Sequence, residues 1–288
     1  MHTLAITDAT VGNLWAWGWG CCGQLGLGDT EDRHLPTRVS GGWAGARTIL
    51  AAAGQMHSFA VLEDGSLWAW GGGGDGKLGL GDTKSRRTPQ RVDGLREHDV
   101  LQVSAGDSHS AAVTAQLELF LWGDNSFGQL GLADCTGRVE PTSTRMAGVL
   151  QVSCGENQTG AVDISGVLWT WGGGGAGQLG HNDRKRRLKP TAVAPKWLGG
   201  ARSGRCRRLP AERALAFAML THSRLGAPSP FAELPSDLVC RIAKSAHPWP
   251  RGRVQMEPSI LRLLGGGFAE SRPPLHSTVR TVQCHLGI

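Results

Sequence analysis

The sequence predicts an all-β fold: a partial β-propeller of four-stranded blades, followed by a small α-helical C-terminal segment. Three observations carry this. Four sequence markers repeat in one register at about fifty residues. Each repeat contains about four β-prone runs and almost no helix. The 288-residue chain also holds 43 Gly, 11 Trp and no Tyr with only 19% charged residues, a composition that argues against long helices and coiled coils.

The first marker is Trp-Gly, at Trp17-Gly18, Trp70-Gly71, Trp122-Gly123 and Trp171-Gly172, with spacings of 53, 52 and 49. The second is Gln/Lys-Leu-Gly at 24–26, 77–79, 129–131 and 178–180, and the third is Pro36, Pro89, Pro141 and Pro190; both keep those spacings. The fourth is Gly54, Gly106 and Gly155, each closing an Ala/Ser-rich approach. A period near fifty indicates a solenoid, a propeller or an array.

The second unit shows the contents of one repeat. Ser58–Leu62 and Leu67–Trp70 flank Glu63-Asp64-Gly65, which reads as a hairpin. Side chains alternate along a strand, so Leu67, Trp68 and Trp70 demand cover on both faces. Residues 71–82 form a Gly-rich loop. Thr88–Val92 contains Pro89, which places it at a sheet edge. Val100–Ser104 opens the next unit. Four strands at this period fit a propeller blade.

These residues resemble the regulator of chromosome condensation repeat. The matching string is Gly54, His57, Ser58, Val61, Asp64, Gly65, Leu67, Trp68, Trp70, Gly71, Gly76, Leu78, Gly79, Gly81 and Asp82. The resemblance covers about residues 1–195. It implies propellers of seven blades, with roles that include guanine-nucleotide exchange on Ran-type GTPases and substrate binding in large ubiquitin ligases. Departures are visible. Gln116-Leu117 replaces Asp64-Gly65, Gln158 replaces His57 and His109, and the first unit lacks its opening strand. Three to four blades cannot close a seven-blade ring. Such a chain is a fragment, is completed by a partner, or is an open array with unpaired edges that invite association.

Candidate chemistry is sparse. Gly71–Lys77 matches the phosphate-loop spacing, but Leu78 stands where a hydroxyl is needed. Gly71, Gly73 and Gly76 satisfy a dinucleotide fingerprint with no helix behind it. His57 and His109 sit in register and are read as tying their own blades through hydrogen bonds. Asp29 and Asp82 are read as turn caps. Trp15/Trp17, Trp68/Trp70 and Trp169/Trp171 are read mainly as blade packing, with some available as binding anchors. No catalytic residue, metal site or cofactor is expected. The repeat-defining structural set is Trp17, Gly18, Gly54, His57, Trp68, Trp70, Gly71, Gly106, His109, Trp122, Gly123, Gly155, Trp169, Trp171 and Gly172.

Charge divides the chain. Residues 1–183 carry 11 Lys+Arg and 19 Asp+Glu, a net of −8, and residues 184–288 carry 19 and 5, a net of +14. The sequence therefore predicts repeats over 1–195, a basic linker over 196–209, a short helical segment over 210–264 and a disordered tail over 265–288. Phe231–Ile242 resembles the opening of an F-box, with Leu234, Leu238 and Ile242 as a possible partner helix face. The seven Cys are scattered with no C-x-x-C, which suits a reducing compartment. No apolar run reaches membrane-span length, and no secretory signal is visible at the N-terminus.

The expected function is a non-catalytic protein–protein interaction module. The alternatives are a regulator of a small GTPase and the substrate-recognition part of a ubiquitin ligase. Nucleic acid is expected only at the basic segment, a membrane is not expected, and the compartment is cytoplasmic or nuclear.

Overall fold

The computed structural model describes residues 1–7, 12–43, 46–193 and 279–283. Contacts divide the chain into two units. The first comprises Met1–Asp163, Val167–Cys206 and Ser277–Ile288; of the second, only Ile164–Gly166 are among the described residues. The 196–209 linker, the 210–264 helices and the F-box-like residues Leu234, Leu238 and Ile242 lie outside the described residues.

The strands in chain order are β1 (His2–Thr7), β2 (Leu14–Gly18), β3 (Arg33–Arg38), β4 (Thr48–Ala53), β5 (His57–Leu62), β6 (Leu67–Gly71), β7 (Arg86–Arg91) and β8 (Val100–Ala105). They continue with β9 (His109–Thr114), β10 (Leu119–Gly123), β11 (Arg138–Ser143), β12 (Val149–Cys154), β13 (Gln158–Asp163), β14 (Leu168–Gly172), β15 (Arg187–Ala192) and β16 (Val279–Gln283). Among the described residues they form four four-stranded sheets, ordered β16-β1-β2-β3, β4-β5-β6-β7, β8-β9-β10-β11 and β12-β13-β14-β15. Neighbouring strands are antiparallel, so the second to fourth blades are meanders, and the first is a three-stranded meander with β16 along its open edge.

Two local features follow from composition. Pro36, Pro89, Pro141 and Pro190 all fall in the last strand of their blade, at an edge where a missing N–H costs no ladder bond. The last two strands slip register at the Trp-Gly pair of every blade, as between Ala69 and Gly71. Gly71 there adopts φ +100°, and a Cβ on it would lie 2.5 Å from the Met56 carbonyl oxygen. Only Gly fits that bulge.

The first blade corrects the expectation that its unit lacks an opening strand. That strand is β16, paired antiparallel with β1 from Thr3 opposite Gln283 to Thr7 opposite Val279. The repeat period could not reveal a strand contributed from the far end of the chain. It falls inside the tail predicted to be disordered; the rest of that tail lies outside the described residues.

The core lies between blades. One cluster joins Leu4, Leu14, Ala16, Leu25 and Val39 of the first blade to Ala51, Ala53, Ala60 and Trp70 of the second. The next joins Phe59, Leu67, Leu78 and Val92 to Val103, Phe120 and Trp122. The third joins Ala111, Leu119, Leu121 and Leu130 to Val149, Val152 and Trp171. Each junction therefore buries one Trp of the incoming blade, and those three indoles are fully buried. Burying a side chain of this size dominates the local energetics. Stability is then carried by neighbouring pairs of blades, as in other repeat proteins.

The Ala/Ser-Gly approaches are required by close contact between first strands. A Cβ on Gly106 would lie 2.4 Å from the Gly155 carbonyl oxygen and 3.0 Å from the His109 ring. Gly106→Ala is expected to destabilise the chain by about 1–3 kcal/mol through overpacking, measured by urea unfolding. A change below about 0.5 kcal/mol, the range of neutral surface substitutions, would contradict the close approach.

Candidate functional site

The polar residues marked by the repeat converge on the blade junctions. In the second blade, Ser58 and Trp70 are cross-strand partners on β5 and β6. Both reach back to one main-chain carbonyl of the first blade. The Ser58 hydroxyl donates to the Gln24 oxygen at 2.8 Å, and Trp70 Nε1–H donates to it at 2.9 Å. Ser110 and Trp122 do the same to the Lys77 oxygen at 2.8 and 2.9 Å. Thr159 and Trp171 do so to the Gln129 oxygen at 2.7 and 2.8 Å. Gln24, Lys77 and Gln129 are the first residues of the Gln/Lys-Leu-Gly marker, so its register is the register of an acceptor.

A histidine completes each junction from the other side. His2 Nε2 lies 2.7 Å from Ser58 Oγ, His57 Nε2 2.9 Å from Ser110 Oγ, and His109 Nε2 2.9 Å from Thr159 Oγ1. Each hydroxyl has one proton, already directed to the carbonyl. The ring must then donate from Nε2, which fixes the tautomer. The sequence suggests that each His ties its own blade; the partner is instead in the next blade. His2, which the repeat markers do not single out, is the first-blade member of the series.

The Nδ1 atoms of His2, His57 and His109 are buried without a partner. Protonating them would place an unpaired charge in the core. Burial lowers His2 and His109 to about 4 and pushes His57 well below the ordinary histidine range. Buried and bonded to a hydroxyl of the next blade, each ring is a strut of its junction. Among the described residues no group of three or more His, Cys, Asp and Glu is arranged to hold a metal. The described cysteines, Cys21, Cys22, Cys135 and Cys154, are free thiols.

The Asp residues after the Gly-rich loops act locally. Asp29, Asp82, Asp134 and Asp183 each accept a backbone N–H two residues on, at 2.9–3.0 Å. Each also pairs with the Arg four residues later, Arg33, Arg86, Arg138 and Arg187. Those hydrogen bonds hold the carboxyls below the usual Asp range. Arg187 therefore belongs to the fourth repeat, although charge counting assigns it to the basic segment. Sequence reasoning missed Asp134 and Asp183, which the 52- and 49-residue steps from Asp82 locate.

The variable positions lie in the loops after each Trp-Gly. Cys22, Asp75, Phe127 and Ala176 occupy equivalent places five residues beyond Trp17, Trp70, Trp122 and Trp171. Trp19 and Phe127 are 42% and 46% exposed. Neither stands out in the sequence, because neither repeats. Trp68 packs edge-on against Trp43, ring centroids 5.2 Å apart, and Trp169 Nε1–H donates to the Asp163 carboxylate at 2.9 Å. Gly18, Gly123 and Gly172 share the left-handed backbone of Gly71.

Blades joined by a recurring indole, hydroxyl and histidine, with a family of variable loops at one end, define a β-propeller repeat protein. The chain belongs to the regulator of chromosome condensation (RCC1) repeat family, whose repeat matches residues 11–61, 64–113, 118–162 and 165–200. It is 38% identical over 144 residues to the ultraviolet-B receptor UVR8 of Arabidopsis thaliana, covering 50% of this chain and 32% of that protein. It is also 38% identical over 141 residues to the human X-linked retinitis pigmentosa GTPase regulator, covering 49% of this chain and 14% of that protein. The crystal structure of Prp20p from Saccharomyces cerevisiae matches with TM-score 0.58 and 25% identity, over 67% of this chain and 48% of Prp20p. The chain thus spans about a third of the first relative and half of the solved propeller.

The lowered histidine values set a pH dependence. In the unfolded chain these rings bind protons near pH 6.5, whereas His2 and His109 in the folded state do so only near 4. Their stabilisation is complete above pH 6.5 and is lost as pH falls toward 4, by up to about 1.4 kcal/mol per pH unit for each ring. His109→Gln, which copies Gln158 of the fourth blade, is expected to remove one ring's share of that slope in urea unfolding between about pH 7 and 4.5. An unchanged slope would contradict the buried neutral imidazole.

Proposed function

We propose that the chain is a non-catalytic protein-interaction module that presents its blade-loop tips to a partner protein. One observation carries the reading. The polar residues that repeat from blade to blade are occupied at the junctions or within their own turns, while the exposed aromatics Trp19 and Phe127 stand in the loops after the Trp-Gly pairs, where the repeats differ. Exposed aromatic side chains flanked by glycine are suited to anchor a protein interface, because they bury large area at small entropic cost. His57 and His109, which by residue type are the first candidates for acid–base work, are fully buried.

A second, narrower reading is that the partner is a small GTPase. Two related proteins favour it: one relative is named as a GTPase regulator, and Prp20p is described by its binding properties to Gsp1p and histones. Fold kinship alone does not transfer a partner, so this reading rests on a direct assay.

Both readings are tested with the full chain and a Trp19→Ala/Phe127→Ala double variant. Immobilised chain is exposed to purified small GTPases, nucleotide-free and nucleotide-loaded, and to cell extract with quantitative mass spectrometry of what is retained. A specific partner whose binding weakens about 30-fold or more in the double variant is the expected result. A partner held equally well by both chains would overturn the loop-tip reading. Absence of both binding and accelerated nucleotide release across the GTPases would remove the narrower one.

A further inference from the structure

Among the described residues the three junctions are chemically alike, and the first and fourth blades each carry one half that no described residue matches. An incoming blade offers a cross-strand pair of hydroxyl and indole. An outgoing blade offers a main-chain carbonyl followed by Leu-Gly, with the Gly against the indole. A Cβ on Gly26, Gly79 or Gly131 would lie 2.7, 2.9 or 2.8 Å from the indole nitrogen of Trp70, Trp122 or Trp171.

The first blade carries the incoming half. Thr3 is the cross-strand partner of Trp17, in the places of Ser58 and Trp70. Trp17 is only half-buried, whereas Trp70, Trp122 and Trp171 are fully buried. Among the described residues, neither the Thr3 hydroxyl nor Trp17 Nε1–H has a hydrogen-bond partner.

The fourth blade carries the outgoing half. Gln178-Leu179-Gly180 takes the place of Gln24-Leu25-Gly26. With Leu168, Thr170 and Val193 these residues line an open cleft. Among the described residues, a Cβ at Gly180 would touch only Val193 Cγ1, at 3.6 Å. At the internal junctions the indole fills that same space.

We propose that these two faces bind each other between copies: the Thr3–Trp17 face of one chain docks on the Gln178–Gly180 cleft of a second. The occupant is a second copy because the fitting half lies on this same chain, and because among the described residues nothing closes over the half-buried Trp17 as the preceding blade closes over Trp70, Trp122 and Trp171. The contact would direct the Trp17 indole and Thr3 hydroxyl to the Gln178 carbonyl, and the Gln158 amide to the Thr3 hydroxyl, as His57 meets Ser110. Such a contact joins two different faces, so it closes into a ring or extends into a chain of copies.

Sedimentation velocity of the full chain over a concentration series tests this, with two variants that damage opposite faces. Trp17→Arg removes the indole. Gly180→Asn fills its slot, and Asn tolerates the left-handed backbone there. Each is expected to weaken self-association about 30-fold or more, with an unchanged circular-dichroism spectrum of the monomer. Mixing the two variants is the decisive arm. The Trp17→Arg chain keeps an intact fourth blade and the Gly180→Asn chain an intact first blade, so the mixture should form a 1:1 dimer and nothing larger. A wild-type chain that stays monomeric to roughly 100 µM, a concentration that reveals even weak association, would overturn the proposal. So would association that survives either substitution, or a mixture that remains monomeric.

Discussion

Everything in the repeat region depends on one acceptor per blade. The main-chain carbonyls of Gln24, Lys77 and Gln129 each receive an indole N–H and a hydroxyl from the next blade. In a dry junction such a carbonyl is costly to leave unpaired, and so are its two donors. The bond pair therefore fixes how one sheet sits on the next, while the apolar surface around the Trp supplies most of the energy. The histidine adds a third strut and, by donating from Nε2, leaves the hydroxyl proton free for the carbonyl. Glycines sit where backbone must pass within contact distance of those rings.

This arrangement separates structure from recognition along the sequence. Residues that repeat are engaged at junctions or in their own turns, and the loops after Trp-Gly carry the differences. That division suits a scaffold whose blades are interchangeable in packing and individual in surface. The relatives agree at the level of family, and two of them are named as a receptor and a GTPase regulator. Polar groups that look reactive in the sequence, His57, His109 and the post-loop Asp residues, all turn out to be bonded to hydroxyls, backbone N–H groups or arginines.

Much of the fold is legible because the period is strict. Trp-Gly, Gln/Lys-Leu-Gly and Pro hold one spacing, and that spacing alone places four strands in each unit. The opening strand of the first blade is not legible, since Val279–Gln283 pairs with Thr3–Thr7 across nearly the whole chain and carries no repeat marker. Nor is the direction of the histidine bonds. Periodicity shows that His57 and Ser58 recur together, but only geometry shows that His57 meets Ser110 of the following blade and not its own neighbour. His2 escapes notice because it carries none of the markers, with Thr3 where Ser follows the other two. Trp19 and Phe127 are invisible to repeat analysis for the reason that makes them interesting: they break the pattern.

The claim that one carbonyl anchors each junction is most directly tested by hydrogen exchange at the indole nitrogens, followed by NMR in the native state. Trp70, Trp122 and Trp171 Nε1–H should exchange only through large-scale opening, slowed by roughly the global unfolding equilibrium, while Trp17 exchanges quickly at low protein concentration. Fast exchange at the three buried indoles, or equal protection at all four in dilute solution, would contradict the account.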